Sequence, residues 1–247
     1  TSPLDAADVP VFQVALATST QEAWDQAERG LSPADLAMHV VLPEVDGRIL
    51  AGVASFKEPG ARDPDLQFAR YVHQPQPDRI NAIADRVTGW VRLAQKTVVD
   101  KVPVLVLSTY PGKDWQMAHA VGLDALASTD AILADLATQG YATESSLKPD
   151  DLASSRISWS LADYRAALAM LPARLQDDLQ TVWGDPQDDP ACANGAFHFT
   201  ALRRGKALIA LQPERGHTKT REDDYHDLSR TPRHGYVAFY LWLQHWI

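Results

Sequence analysis

Residues 102–107, Val-Pro-Val-Leu-Val-Leu, form an apolar run of strand length with no polar interruption. A strand with one wet face alternates in polarity, whereas a strand buried on both faces does not. The run therefore calls for a parallel sheet with helices on both sides. The flanking sequence supplies them. From Asp78 onward, Ile80, Ile83, Ala84, Val87, Trp90, Val91 and Ala94 recur at i, i+3, i+4 and i+7, with Arg79, Arg86 and Arg92 on other faces. Residues 124–139 read as a second helix, with Thr129, Ile132, Leu133 and Leu136 on one side and Gly140 placed to end it.

The rest of the first half continues the alternation. Residues 9–17 are β-branched and apolar and lead into Thr18-Ser19-Thr20, a helix entry, with residues 22–29 as a short helix. Ser32-Pro33-Ala34-Asp35 opens another helix. Residues 39–42 read as a short strand closing at Pro43-Glu44-Val45-Asp46-Gly47, and residues 52–77 as loop, punctuated by Pro59-Gly60 and Gln74-Pro75-Gln76-Pro77. In the second half, residues 161–171 and 172–183 form a helical hairpin broken at Leu171-Pro172. Trp183-Gly184-Asp185-Pro186 stops it, and an acidic loop follows to Pro190. Residues 206–211 read as a strand, 212–235 as a long polar loop, and 235–247 as an aromatic helix.

The expected fold is α/β: a doubly wound, mainly parallel sheet with an added helical hairpin and a C-terminal strand–loop–helix segment. The expected division is an α/β Rossmann-like segment over residues 1–143, a hairpin and linker over 144–200, and a completing segment over 201–247. Composition removes other classes. Of 247 residues, 45% are hydrophobic and 22% charged, which excludes a disordered or collagen-like chain. A formal net charge of -9 argues against nucleic acid as a partner, since phosphate is met with clustered Lys and Arg. No stretch approaches the roughly 18 apolar residues of a membrane span. The single cysteine, Cys192, allows neither an internal disulfide nor a Cys-based zinc site, and cytoplasm is the expected compartment.

In α/β folds ligands sit outside the carboxyl ends of strands, so three loops become candidates. Residues 212–236 carry His217, His226 and His234 with five acidic residues. These side chains could hold a metal ion or move protons; they could equally form a solvated, charge-mixed surface loop, and the histidine spacings fix no helical face. Residues 43–47, with Phe56-Lys57-Glu58, bring Glu44 and Asp46 near a strand end, although turn chemistry explains Pro43, Asp46 and Gly47 as well. Residues 108–122 include Gly112 and Lys113 but match no phosphate-binding pattern. No nucleophile elbow, zincin helix or EF-hand loop is present, so any ATP would be handled by another protein.

Four segments stand in order: residues 30–56, residues 104–141, Trp159-Ser160-Leu161 through Tyr164, Leu171-Pro172 and Trp183-Gly184, and residues 209–242. Together they resemble the large subunit of aerobic cobaltochelatase, the CobN type, a relative of the porphyrin-binding large subunit of magnesium chelatase. The second segment contains Val-Gly-Leu-Asp at residues 121–124; the fourth contains Gln212-Pro213-Glu214-Arg215-Gly216 and Tyr225-His226-Asp227. The Trp-Ser-Leu segment and the last two motifs favour the cobalt over the magnesium type. The resemblance implies a ligase forming nitrogen–metal bonds, which inserts Co(2+) into hydrogenobyrinic acid a,c-diamide in cobalamin biosynthesis. Co(2+) would be substrate; ATP and Mg(2+) would belong to AAA+-type partner subunits (the CobS and CobT type), and the corrinoid tetrapyrrole would be the second ligand. Insertion removes pyrrolic protons and delivers a partly dehydrated cation, tasks suited to imidazoles and carboxylates. The resemblance thus points to His234, His226 and Glu214 for catalysis. It points to His226, Asp227 and His217 for the metal, and to Gln212, Arg215, Glu44, Asp46 and Tyr236 for the macrocycle. It also implies an internal piece of a longer subunit, inactive alone, because the chain starts at Thr1 without Met and the family's His-Gly-x-Leu-Glu segment is expected beyond Ile247. The competing expectations are a non-catalytic tetrapyrrole-binding or docking module, a porphyrin-binding subunit of the magnesium type, and an unrelated α/β enzyme for a small polar substrate.

Overall fold

A computed structural model describes residues 9–27, 30–108, 119–120, 123–216 and 230–246, whose contacts divide into two units, Thr1–Lys96 and Thr97–Ile247. The division falls after the long helix, whereas the sequence reading keeps one segment to residue 143.

In the first unit, β1 (Phe12–Leu16) leads to Thr20, whose side chain accepts the Ala23 amide and starts α1 (Gln21–Gln26). Ser32 caps α2 (Pro33–Leu36) in the same way. The helix does not stop there. Residues expected as a short strand at 39–42 continue it through a π turn (Ala37–Val41) into α3 (Leu42–Val45). The β-branched pair Val40-Val41 suggests a strand, but the Ser32 cap and Pro33 commit the chain to helix. Pro43 explains the widened turn: in a regular helix its ring would strike the carbonyl four residues back, and here Leu42 N–H instead donates to Ala37 O, five back.

The second correction is larger. The expected loop at 52–77 is mostly a hairpin, β2 (Ile49–Asp63) with β3 (Phe68–Pro75), and β1 pairs parallel to β2. Pro59 is tolerated because it lies past the pairing with β1, which ends at Ser55, and past Lys57, whose amide still donates to Ser19 O on the segment after β1. Next comes α4 (Pro77–Gln95), as its periodicity demands. Ala15, Ala17, Val53 and Phe56 form this unit's core, with Trp24, Leu31 and Leu50 packed against it. The Arg79 guanidinium lies 5.1 Å from the ring centroids of both Trp24 and Phe56.

The second unit begins with β4 (Val104–Leu107), then the two-residue strands β5 (His119–Ala120) and β6 (Leu123–Asp124) and helix α5 (Ala125–Thr138). Then come α6 (Pro149–Ser154), β7 (Ile157–Ser160), α7 (Leu161–Leu168) and α8 (Ala173–Trp183), so the helical hairpin is present. Strands β8 (Cys192–Ala193) and β9 (Ala196–Phe199) meet β7 in a small antiparallel sheet within the expected linker. Finally β10 (Ala201–Arg204), β11 (Ala207–Leu211) and α9 (His234–Trp246) complete the unit.

The α/β expectation holds, with mixed sheets: parallel pairing occurs in β1–β2 and in β4–β11, and these pairs lie in separate sheets. Strand β11 sits between β10 and β4 and is covered on both faces. Leu208 and Ala210 join the aromatic core of Tyr164, Phe197, Phe199, Phe239 and Trp242, while Ala207 and Ile209 join Leu133 and Leu152 opposite. Each large apolar side chain so buried contributes about 1.5–3 kcal/mol. The run that points to this sheet, β4, is only half-buried, because it forms the edge among the described residues. Between β10 and β11, Gly205 has φ +59°, and a Cβ there would collide with Ala142 O; no other residue fits this turn.

Candidate functional site

Two parallel strands, β4 and β11, end side by side, with Leu107 opposite Leu211. The chain leaves β11 at Gln212, whose amide donates to Leu107 O at 2.9 Å. The Gln212 side-chain amide reaches the hydroxyl oxygens of Tyr236 (3.2 Å) and Tyr240 (2.6 Å) on the first turns of α9. Those two rings lie 5.0 Å apart, tilted by 57°. Three residues on, Arg215 is fastened twice: Arg233 N–H donates to Arg215 O at 2.8 Å, and Arg215 Nη2 donates to Arg230 O at 3.1 Å. Both arms of the polar loop thus meet at a neck on the carboxyl ends of the strands, where α/β folds place ligands.

The outgoing arm, residues 230–236, is held from below. Trp183 Nε1 donates to Thr231 O at 3.0 Å. Asp189, buried at 8% exposure, accepts from Arg233 Nε (3.2 Å) and Nη2 (3.1 Å), from Gly235 N (2.9 Å) and from Ala191 N (2.8 Å). Arg233 caps α9, its carbonyl accepting the Tyr236 and Val237 amides, and the Gly235 amide of the first turn goes to Asp189. A carboxylate there also meets the positive end of the helix dipole. The fit is close: a Cβ on Gly235 would lie 3.0 Å from Asp189 Oδ1.

His234 is 2% exposed. Its Nε2 lies 3.0 Å from Gly184 O, so that nitrogen carries the hydrogen, and Nδ1 accepts from the Tyr164 hydroxyl at 2.7 Å. Burial depresses the imidazole pKa below 6.5, outweighing the Gly184 carbonyl bond and the charges of Asp189 and Asp185, which oppose it. Burial, reinforced by Asp189, pushes the Tyr164 phenol far above its ordinary range, so the pair is neutral. Neither ring nitrogen is open to a ligand. The proton-accepting role expected of His234 is not one this geometry offers; the ring is a strut beneath the loop.

Of the other expected site residues, Gln212, Glu214, Arg215 and Tyr236 are half-buried at the neck. Glu44 and Asp46 are exposed on the first unit, at the end of α3, where the Asp46 and Gly47 amides close a turn. His217, His226 and Asp227 lie outside the described residues, as do Gly112 and Lys113. Among the described residues, no group of three or more His, Cys, Asp and Glu side chains is arranged to hold a metal ion. No helix among them is long and apolar enough to cross a membrane. Sequence reasoning missed Asp189, Tyr164 and Arg233. Only the position of Arg233 just before the aromatic helix offers a signal; nothing local distinguishes Asp189 from Asp185 or Asp188.

A family model described as CobN/Magnesium Chelatase matches residues 1–247. The chain is 35% identical over 256 residues to the aerobic cobaltochelatase subunit CobN of Pseudomonas aeruginosa, covering 96% of this chain and 20% of that protein. It is 24% identical over 254 residues to the chloroplastic magnesium-chelatase subunit ChlH of Oryza sativa subsp. japonica, covering 98% of this chain and 18% of that one. Among solved structures it matches the catalytic subunit of cobaltochelatase from Mycobacterium tuberculosis with a TM-score of 0.77 and 33% identity, over 97% of this chain and 21% of that one. The chain spans about a fifth of the length of the first curated relatives it matches, each a CobN protein. The four ordered segments, the fold and the full-length family match agree, and the chain belongs to the CobN/magnesium chelatase family.

Proposed function

We propose that this chain forms part of the tetrapyrrole-binding body of an ATP-dependent cobaltochelatase, which inserts Co(2+) into hydrogenobyrinic acid a,c-diamide during cobalamin biosynthesis. The observation that carries the reading is the neck itself: Gln212, Glu214, Arg215 and Tyr236 gathered at the carboxyl ends of β4 and β11. Gln212 and Arg215 contact the polar groups at the rim of the macrocycle, the guanidinium as donor to its carboxylates. Tyr236 packs against its edge; Glu44 and Asp46, on the first unit, form a separate candidate contact for polar groups. Glu214 and His226 accept the pyrrolic protons. His217, His226 and Asp227 hold the incoming Co(2+), which is substrate. ATP and Mg(2+) are used by AAA+-type partner subunits of the CobS and CobT type, and the complex works in the cytoplasm, where ATP is supplied.

The test is a spectral titration of the full-length subunit. Hydrogenobyrinic acid a,c-diamide is added, then Co(2+), then the ATPase partners with ATP, and the absorbance bands of the macrocycle are followed. The expected result is a band shift on binding and a second, ATP-dependent shift on insertion. Binding without insertion supports a tetrapyrrole-holding module. Insertion into a porphyrin but not the corrinoid overturns the cobalt assignment, and no band shift with either overturns the tetrapyrrole reading.

A further inference from the structure

We propose that Asp189 is the positioning residue of this site, holding Arg215, Tyr236 and Gln212 in place from beneath without touching substrate. One carboxylate, buried at 8% exposure, makes four hydrogen bonds, and three of them go to the segment that shapes the neck. From it two short paths lead to the site. Along the first, the Arg233 side chain is fixed by Asp189 while its backbone amide holds Arg215 O. Along the second, the Gly235 amide is fixed by Asp189, the next residue is Tyr236, and Tyr236 meets the Gln212 amide. The ion pair is sheltered, with the Arg233 and Asp189 side chains 13% and 3% exposed. It is therefore poorly screened, and each partner left alone would be a costly buried charge. By contrast Arg165 and Asp185 form a pair exposed at 50% and 43%, which carries no such weight. The bond from Trp183 to Thr231 and the His234 strut act on the same arm, so Asp189 completes a clamp whose output is the register of residues 212–216 against 230–236.

The binding readout of this inference rests on the tetrapyrrole reading, so its test has two arms. Both use the full-length subunit carrying Asp189→Asn, Arg233→Gln, or both; Asn keeps the shape and one acceptor oxygen, and the double variant leaves no buried charge unpaired. In the first arm, each single variant weakens corrinoid binding at least about tenfold, since misplacing contact groups by an ångström has effects of this size. The double variant binds no worse than the weaker single, as expected for one coupled unit. Arg165→Gln, beside the clamp but outside it, binds as the parent does. In the second arm, amide hydrogen exchange of the ligand-free subunit shows lost protection in peptides 212–216 and 230–236 in Asp189→Asn. Lowered thermal stability with unchanged affinity and unchanged exchange at the neck overturns the inference and leaves Asp189 a general structural residue. If the parent subunit binds neither corrinoid nor porphyrin, the function falls instead, and the exchange arm alone decides the clamp.

Discussion

Replacing His234 with Phe isolates the buried strut. The new ring keeps a planar, apolar body in a 2% exposed site but gives neither the Tyr164 hydroxyl nor the Gly184 carbonyl a partner. A buried polar group left unsatisfied costs about 1–3 kcal/mol, so two cost roughly 2–5 kcal/mol after the hydroxyl has turned to its best alternative. Acid adds a second signature. The folded state holds this imidazole neutral, with its pKa depressed by burial below the unfolded 6.5. Its ionisation is therefore without effect on stability above pH 6.5. As pH falls from 6.5 to the depressed folded value, the unfolded chain takes up a proton that the folded chain refuses, and stability drops by up to about 1.4 kcal/mol per pH unit. The Phe variant lacks that loss. Urea unfolding followed by tryptophan fluorescence, from pH 8 to pH 5, should show a gap of roughly 2–5 kcal/mol at the top that narrows on acidification, with unchanged denaturant slopes. Parallel curves across that range, or a gap below about 0.5 kcal/mol at pH 8, would refute the buried neutral imidazole and with it the strut.

Asp35 offers the matching experiment in the first unit. Burial raises its carboxyl, but hydrogen bonds from the Thr18 amide and hydroxyl (both 2.9 Å) and from Ser32, with the charge of His39, bring it below 3.8. Asp35→Ala should destabilise by about 1–3 kcal/mol near neutral pH. The contribution is full above pH 3.8 and lost as pH falls through the depressed folded value, so parent and variant urea midpoints converge only in strong acid; convergence already at pH 5 would contradict the assignment. Gly205→Ala should lower stability by at least about 1–2 kcal/mol, because its left-handed φ and the Ala142 oxygen in the path of the new Cβ both oppose it. A thermal melt unchanged by this substitution would show that the β10–β11 turn is not built as described.

The elements legible in the sequence are those whose signal is local and redundant. Helix α4 declares itself through a repeating apolar face, and the α7–α8 hairpin through Leu171-Pro172 followed by Trp183-Gly184. The π turn is not legible, because Val40-Val41-Leu42 has strand propensity and only the Ser32 cap and Pro33 upstream override it. Proline misleads at β2, where Pro59 reads as a break; it sits where the strand has already lost its β1 neighbour and no donor is missed. Asn194-Gly195, both at positive φ, is the two-residue turn joining β8 to β9, a hairpin signal that the acidic, proline-bearing stretch before it obscures.

The candidate site divides along the same line, and the division has a physical cause. Gln212, Glu214 and Arg215 become candidates from the sequence because a polar loop after a buried strand lies where this class of fold binds ligands, whatever its details. His234 draws attention for its chemistry, yet an imidazole is equally a donor–acceptor bridge, and only burial decides which use a protein makes of it. Here burial decides for Tyr164, 70 residues away. Asp189 is the converse: an aspartate in an acidic, proline-bearing stretch looks solvated, and its meaning comes from Arg233 and Gly235, 44 and 46 residues on, with only the Ala191 amide supplied locally. A carboxylate leaves water only where enough donors replace it, and four donors from three residues meet that condition. That condition is also a rule for finding such residues: the acidic side chain held by two or more backbone amides and a buried arginine is fixed, and what it fixes is the loop those partners belong to. On that rule the half-buried neck, proposed above as the working surface, takes its one shape from the buried Asp189.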